Sequence, residues 1–228
     1  DRARLNNAKV VVLDERSAQA VADTLRSGTL HVEAVEQKPY RRSPAPPFRT
    51  STLQQEAGRK LRFSSKRTMA AAQRLYEAGH ITYMRTDSTY LAEAAVAQAR
   101  SIISNTFGPE FMPKAARNYR NSVKNAQEAH EAIRPAGDRW ASPAEISRAV
   151  GSDEAKLYDL IWKRTIASQM TDATGTSVSV RFSAPLGLSS PVGSPEGEVL
   201  TPETAYLAAS GTTIAHPGFL RVYVEDTD

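Results

Sequence analysis

Gly79-His80-Ile81-Thr82-Tyr83-Met84-Arg85-Thr86-Asp87-Ser88 is the stretch around which the chain is organised. Its centre is rich in β-branched and aromatic residues, the composition of a short strand on a pleated surface. A strand would place Ile81, Tyr83 and Arg85 on one face and Thr82, Met84 and Thr86 on the other. The same residues suit chemistry on phosphate. A phenol can form a covalent intermediate, and a guanidinium two residues away can hold and neutralise the group under attack. Taken alone the pattern fits an ordinary strand well, so the surroundings must decide.

Upstream, Ser64 is placed to cap a helix over 65–78 and Gly79 to end it. On that helix Met69, Ala72 and Tyr76 form an apolar stripe, while Lys66, Arg67, Ala70, Gln73 and Arg74 share a different face. A helix over 52–61 precedes it, with Leu53, Ala57 and Leu61 on one side and a break at Phe63. Two helices joined by a short turn, the second carrying outward cations and followed by a strand, describe a winged helix-turn-helix.

Downstream, Ser88 or Thr89 is placed to cap a helix reaching Phe107, with Leu91, Ala95, Ala99 and Ile102 inward and Gly108-Pro109 as the stop. Residues 114–124 form a basic loop around Tyr119 that either touches a nucleic-acid backbone or is simply solvated. In the segment 125–135, His130 is the candidate functional residue. A zinc-peptidase helix would need a second His where Arg134 stands, which excludes that reading; a lone His is otherwise most often structural. Ser142-Pro143-Ala144-Glu145 is a capping box with Pro at the first helical position. A further helix over 153–169 has Leu157, Leu160, Ile161 and Ile166 as core.

The two ends of the chain read as β-rich. Residues 3–13 suggest two strands about Asn6-Asn7, 17–26 a helix ended by Gly28, and 30–40 an alternating strand. Near the other end Val178, Val180 and Phe182 alternate, an irregular loop follows over 185–197, and 216–224 is expected to be a closing strand. Between Arg41 and Phe48, three prolines in four residues make a stiff connector. The fold class is therefore α+β, with a mainly helical winged-helix-like domain inserted into a split β-rich one.

The 228 residues can bury a sizeable core and contain no cysteine, which excludes disulfides, thiolate metal sites and cysteine nucleophiles. No apolar run spans a bilayer and no signal-peptide pattern opens the chain, so a soluble cytoplasmic protein is expected. Asp1 opens the chain without an initiator Met, as expected of an internal fragment. The net charge of +4 is unevenly spread: residues 38–134 hold 17 Lys and Arg against 7 Asp and Glu, and the remainder is acidic. Such segregation is the footprint of a polyanion partner, a nucleic acid above all; a merely solvated basic face is the alternative.

Three blocks, Pro44 to Ala57, Gln73 to Ser88 and Asn125 to Pro135, resemble the type IA DNA topoisomerases of bacteria in content, order and spacing. Leu157 to Trp162 and Gln169 to Thr171 extend the likeness, which is weakest over 184–216. The resemblance implies that Tyr83 is the nucleophile that forms a 5′-phosphotyrosyl bond in single-stranded DNA, and that Arg85 contacts the scissile phosphate. It implies that His130 contacts the phosphodiester or assists proton transfer, and that Asp87 and Arg134 give support. It further implies an enzyme that relaxes negatively supercoiled DNA without ATP. The two domains become a β-rich arch or hinge over 1–42 plus 170–228 and a tyrosine-bearing domain over 43–169. Arg59, Lys66, Arg67, Arg74, Arg85 and Arg134 are the expected DNA contacts.

In the family Mg2+ is held by a Toprim domain, and another domain supplies much of the single-strand groove. Neither is expected within these residues, and Asp226-Thr227-Asp228 is too sparse to be a metal site. The fragment is therefore expected to be inactive alone and to work beside those domains, as part of a monomer in the bacterial cytoplasm at the nucleoid. Two alternatives are a winged-helix DNA-binding module without catalysis, and a tyrosine recombinase, whose tyrosine lies late in the chain and leaves a 3′-phosphotyrosine.

Overall fold

Capping chemistry sets most helix boundaries. The structure, a computed structural model, describes residues 12–119, 131–188, 190–195, 197 and 199–223. Helix α1 (Glu15–Ser27) starts two residues before the expected Ser17 because Asp14 accepts a hydrogen bond from Ser17 N at 2.7 Å. Strand β1 (His31–Arg42) leads through the proline connector to α2 (Thr50–Leu61) and α3 (Ser65–Glu77), the latter capped by Ser64 accepting from Arg67 N at 3.2 Å. Then come α4 (Glu93–Thr106), the one-turn α5 (Pro143–Ile146) with its Ser142–Glu145 capping box, and α6 (Ser152–Ser168). Strands β2 (Ala173–Pro185), β3 (Val192–Gly193), β4 (Val199–Leu200) and β5 (Thr204–His216) follow.

The fold is α+β, and the chain divides into two compact units, residues 1–40 with 176–213 and residues 41–175 with 214–228. In the first, β2 lies between β1 and β5 in a three-stranded sheet, and β3 pairs antiparallel with β4 in the register Val192 to Leu200 and Gly193 to Val199. That pair stands where an irregular loop was expected. It is tied to α1 by Asp14 N donating to Gly193 O and Gly193 N donating to Ser17 Oγ.

The second unit is helical, with α6 at its centre packing on α2, α3, α4 and α5. Almost every residue in the C-terminal half of α6 is buried, as a helix surrounded by others requires. The buried face of α3 is Thr68, Ala71, Ala72 and Leu75. The expected stripe through Met69 and Tyr76 is thus turned by about one residue, and Tyr76 comes to the surface.

Three further expectations change. Helix α4 starts at Glu93, not after Ser88, because Ser88 Oγ accepts from Tyr90 N in a local turn and Glu131 Oε1 accepts Ala92 N at 2.6 Å, doing the capping from a distance. The Tyr119 phenol faces inward, donating to Ser168 O at 2.9 Å, and burial pushes its pKa up to about 12, so it is not a surface contact. The closing strand ends at His216. Gly218 sits at φ +50 with its backbone so close to Asp172 that a Cβ would lie 2.2 Å from the carbonyl oxygen. A short 3-10 turn follows and carries Phe219 and Tyr223 into the helical core; the last stretch thus clusters with the helical unit, not with the β-rich one. The strands expected over 3–11, His130 and Asp226–Asp228 lie outside the described residues.

Candidate active site

The end of α3 delivers the tyrosine. Gly79 N donates to Tyr76 O at 2.9 Å and His80 N to Leu75 O at 2.8 Å. This paired arrangement closes a helix with a left-handed residue at Gly79, whose φ of +73 a side chain would resist. The chain then runs between two other backbones. On one side Thr82 N donates to Arg134 O at 2.9 Å, Ala136 N to His80 O at 2.9 Å, and Ile81 bridges Pro135. On the other, Thr50 N donates to Thr86 O at 2.9 Å, which satisfies one of the four free N–H groups at the start of α2.

Residues 81–86 are therefore not a ladder strand, yet a twofold alternation holds from Tyr83 onward. Met84, Thr86 and Ser88 are buried, while Tyr83, Arg85 and Asp87 face outward. Ile81 breaks the pattern: it is 1 % exposed, where the strand reading grouped it with Tyr83. Tyr83 is 40 % exposed, and its ring meets that of Tyr76 edge-on with centroids 5.3 Å apart. Arg85 is exposed and has no carboxylate partner among the described residues.

Four of the other expected cations, Arg59, Arg67, Arg74 and Arg134, are engaged within the chain. Arg67 grips Asp153 through two hydrogen bonds of 2.7 Å, and that contact holds the Asp153 carboxyl below its usual pKa. Arg74 pairs with Glu154, Arg59 with Glu56 at 2.8 Å, and Arg134 with Glu131. Lys66 is exposed. Arg134 reaches the site through its backbone, which holds Thr82 beside Tyr83, while its guanidinium turns to Glu131 and to Pro135 O at 2.8 Å. His130, directly before Glu131, lies outside the described residues.

Sequence reasoning missed Thr50, Thr82 and Tyr76. Thr82 Oγ1 donates to Ala132 O at 2.7 Å and accepts from Arg134 N at 3.0 Å. Thr50 Oγ1 donates to Met84 O at 2.7 Å and accepts from Thr86 N at 2.9 Å. Tyr76 was read as core, and nothing in the periodicity of the helix marked it as a neighbour of Tyr83.

Among the described residues the magnesium implied by the resemblance finds no set of ligands. No group of three or more His, Asp or Glu that could hold a metal exists among the described residues. Glu131 is already bonded to Arg134, which leaves Asp87 as the outward carboxylate of the segment, too few for such a site. What the outward pair can do is offer a phenol oxygen to an electrophile and a planar cation to the negative charge that builds on it.

A family model described as DNA topoisomerase matches residues 3–228. The DNA topoisomerase 1 of Mycolicibacterium smegmatis is 54% identical over 220 residues, which is 96% of this chain and 22% of that protein. That of Streptomyces coelicolor is 50% identical over 225 residues, 99% of this chain and 22% of its own length. Among solved structures, full-length topoisomerase I from Thermotoga maritima superposes with a TM-score of 0.68 at 32% identity, covering 94% of this chain and 32% of that one. The chain spans about a fifth of the length of the curated relatives it matches. Matched by the family model from its third residue to its last, the chain belongs to the DNA topoisomerase family.

Proposed function

We propose that this chain carries the strand-cleaving tyrosine of a type IA DNA topoisomerase. The Tyr83 oxygen attacks a backbone phosphorus of single-stranded or underwound DNA, forming a P–O bond to the 5′ side of the break. The bond from phosphorus to the 3′ oxygen breaks, that oxygen takes up a proton, and the phenol gives one up. Because one phosphodiester replaces another, the free 3′-hydroxyl can reverse the step without ATP after a second strand has passed. Arg85 offsets the charge on the non-bridging oxygens, which is greatest in the transition state.

The observation that carries this reading is the shared outward face of Tyr83 and Arg85 on a segment whose neighbours are buried. The resemblance assigns His130 to proton transfer or phosphate contact. Magnesium then has its ligands outside the described residues, in a Toprim domain, with a further domain completing the strand groove. The whole works as a monomer on the bacterial nucleoid; no helix among the described residues is long and apolar enough to cross a membrane. The winged-helix alternative loses support because Arg67 and Arg74 of α3 are held by Asp153 and Glu154.

The test is Tyr83→Phe in the full-length protein. A 3′-end-labelled oligonucleotide should no longer transfer label to the protein, while its affinity changes by less than about threefold, since one buried or exposed hydroxyl contributes little to uniform binding. Label still transferred by the variant would exclude Tyr83. The 228 residues alone should neither cleave efficiently nor relax supercoils.

A further inference from the structure

We propose that Thr50 and Thr82 are positioning residues for the tyrosine reaction, their hydroxyls fixing the backbone on either side of Tyr83 so that phenol and guanidinium meet the same phosphate. This rests on the function proposed above. The segment from Thr82 to Thr86 has no sheet ladder to stiffen it; its nearest bridge is at Ile81. Its place is set by one backbone hydrogen bond on each side, Thr82 N to Arg134 O and Thr50 N to Thr86 O, and by two hydroxyls, each both donor and acceptor.

Thr82 Oγ1 joins the residue before Tyr83 to Ala132 and Arg134. Thr50 Oγ1 joins the residues on either side of Arg85 to the first turn of α2 through Met84 O and Thr86 N. The partners are 34 to 52 residues apart in sequence, so no local turn could substitute for them. Neither hydroxyl touches the phenol or the guanidinium, and both bond to main chain only. Valine at either position keeps the shape but leaves Ala132 O and Arg134 N, or Met84 O and Thr86 N, without that partner. The segment can then shift, and a displacement near 1 Å at a nucleophile costs on the order of 100-fold in rate.

The experiment is single-turnover cleavage and religation of a 3′-end-labelled single-stranded oligonucleotide by the full-length protein. Thr50→Val and Thr82→Val should each slow the cleavage rate constant by about 10- to 100-fold. The oligonucleotide Kd should stay within about twofold and the reaction amplitude should be preserved. Religation passes through the same transition state, so it should slow by a similar factor. Thr50→Ser and Thr82→Ser, which keep the oxygen, should restore the rate to within about threefold of wild type.

Rate constants within twofold of wild type in both valine variants would overturn the proposal. So would a loss confined to amplitude, including outright failure to fold, because that outcome makes the hydroxyls merely structural. Serine variants as slow as the valines would overturn it too. The proposed function fails separately, if wild type and Tyr83→Phe transfer label equally.

Discussion

Replacing Asp172 by Asn tests whether the polar anchoring of the helical unit is as strong as its burial implies. The Asp172 side chain is only 6% exposed and receives Arg41, itself 75% exposed, and Arg117, which is 23% exposed. Arg117 is further committed, donating from Nε to Met170 O at 2.7 Å and from N to Gln169 Oε1 at 3.2 Å. Its guanidinium cannot swing out to water without breaking the bond to Met170 O.

Removing one partner of a buried pair costs about 3–5 kcal/mol. The Arg41 side of this one is largely solvated and contributes little. About 2 kcal/mol is therefore the expected loss, or about 4–8 °C in the unfolding midpoint of a unit this size. Asp159→Asn, which breaks an exposed pair with Lys163 at 2.7 Å, is the control and should shift the midpoint by about 1 °C.

The pH dependence has a definite sign. Burial alone would raise the Asp172 pKa, but hydrogen bonds from Arg41, Arg117 and Ser43 outweigh it and leave the carboxyl below 3.8. A group with a depressed folded pKa stabilises above its unfolded value and loses that contribution as pH falls through the folded one. The gap between wild type and Asp172→Asn should be full at pH 5 to 7 and close progressively below about pH 4. Calorimetry of the full-length protein reads both effects. A midpoint shift no larger than the control's, or a gap that widens in acid, would refute the reasoning.

Two other outcomes follow from the same structure. Tyr119→Phe should flatten the alkaline loss of stability between pH 10 and 12. The wild-type phenol, raised to about 12, costs about 1.4 kcal/mol per pH unit once the unfolded chain ionises and the folded one does not; an unchanged slope in an alkaline denaturation series would contradict this. Gly218→Ala should destabilise by more than about 2 kcal/mol, since a methyl 2.2 Å from Asp172 O at φ +50 has no room; a urea midpoint equal to wild type would show that the turn relaxes freely.

Much of the helical unit was legible because its signals are local. Ser64, Gly79 and the Ser142–Glu145 box mark boundaries within a few residues of themselves, and the structure uses each of them. The outward pairing of Tyr83 with Arg85 was legible through twofold alternation, although no strand forms there. What could not be read depends on partners far away. A count of positive residues cannot show that Arg67 and Arg74 meet Asp153 and Glu154 across 80 or more positions. Nothing in periodicity marks a threonine whose hydroxyl serves another segment's main chain, and the inward turn of Tyr119 depends on Ser168, 49 residues on. Hydrophobic alternation near the chain's end suggested a strand, where the structure has a 3-10 turn over Gly218–Arg221 that brings Phe219 and Tyr223 into the core.

The braces on the Tyr83 segment come from both directions along the chain, from Thr50 and from Ala132 and Arg134. During synthesis the tyrosine emerges from the ribosome some fifty residues ahead of the backbone that holds Thr82. A nascent chain thus displays Tyr83 before the segment around it is fixed, and closing so long a segment is slow compared with winding the helices. The placement of Tyr83 is therefore completed late in folding, once the backbone of Ala132 and Arg134 has been made and docked.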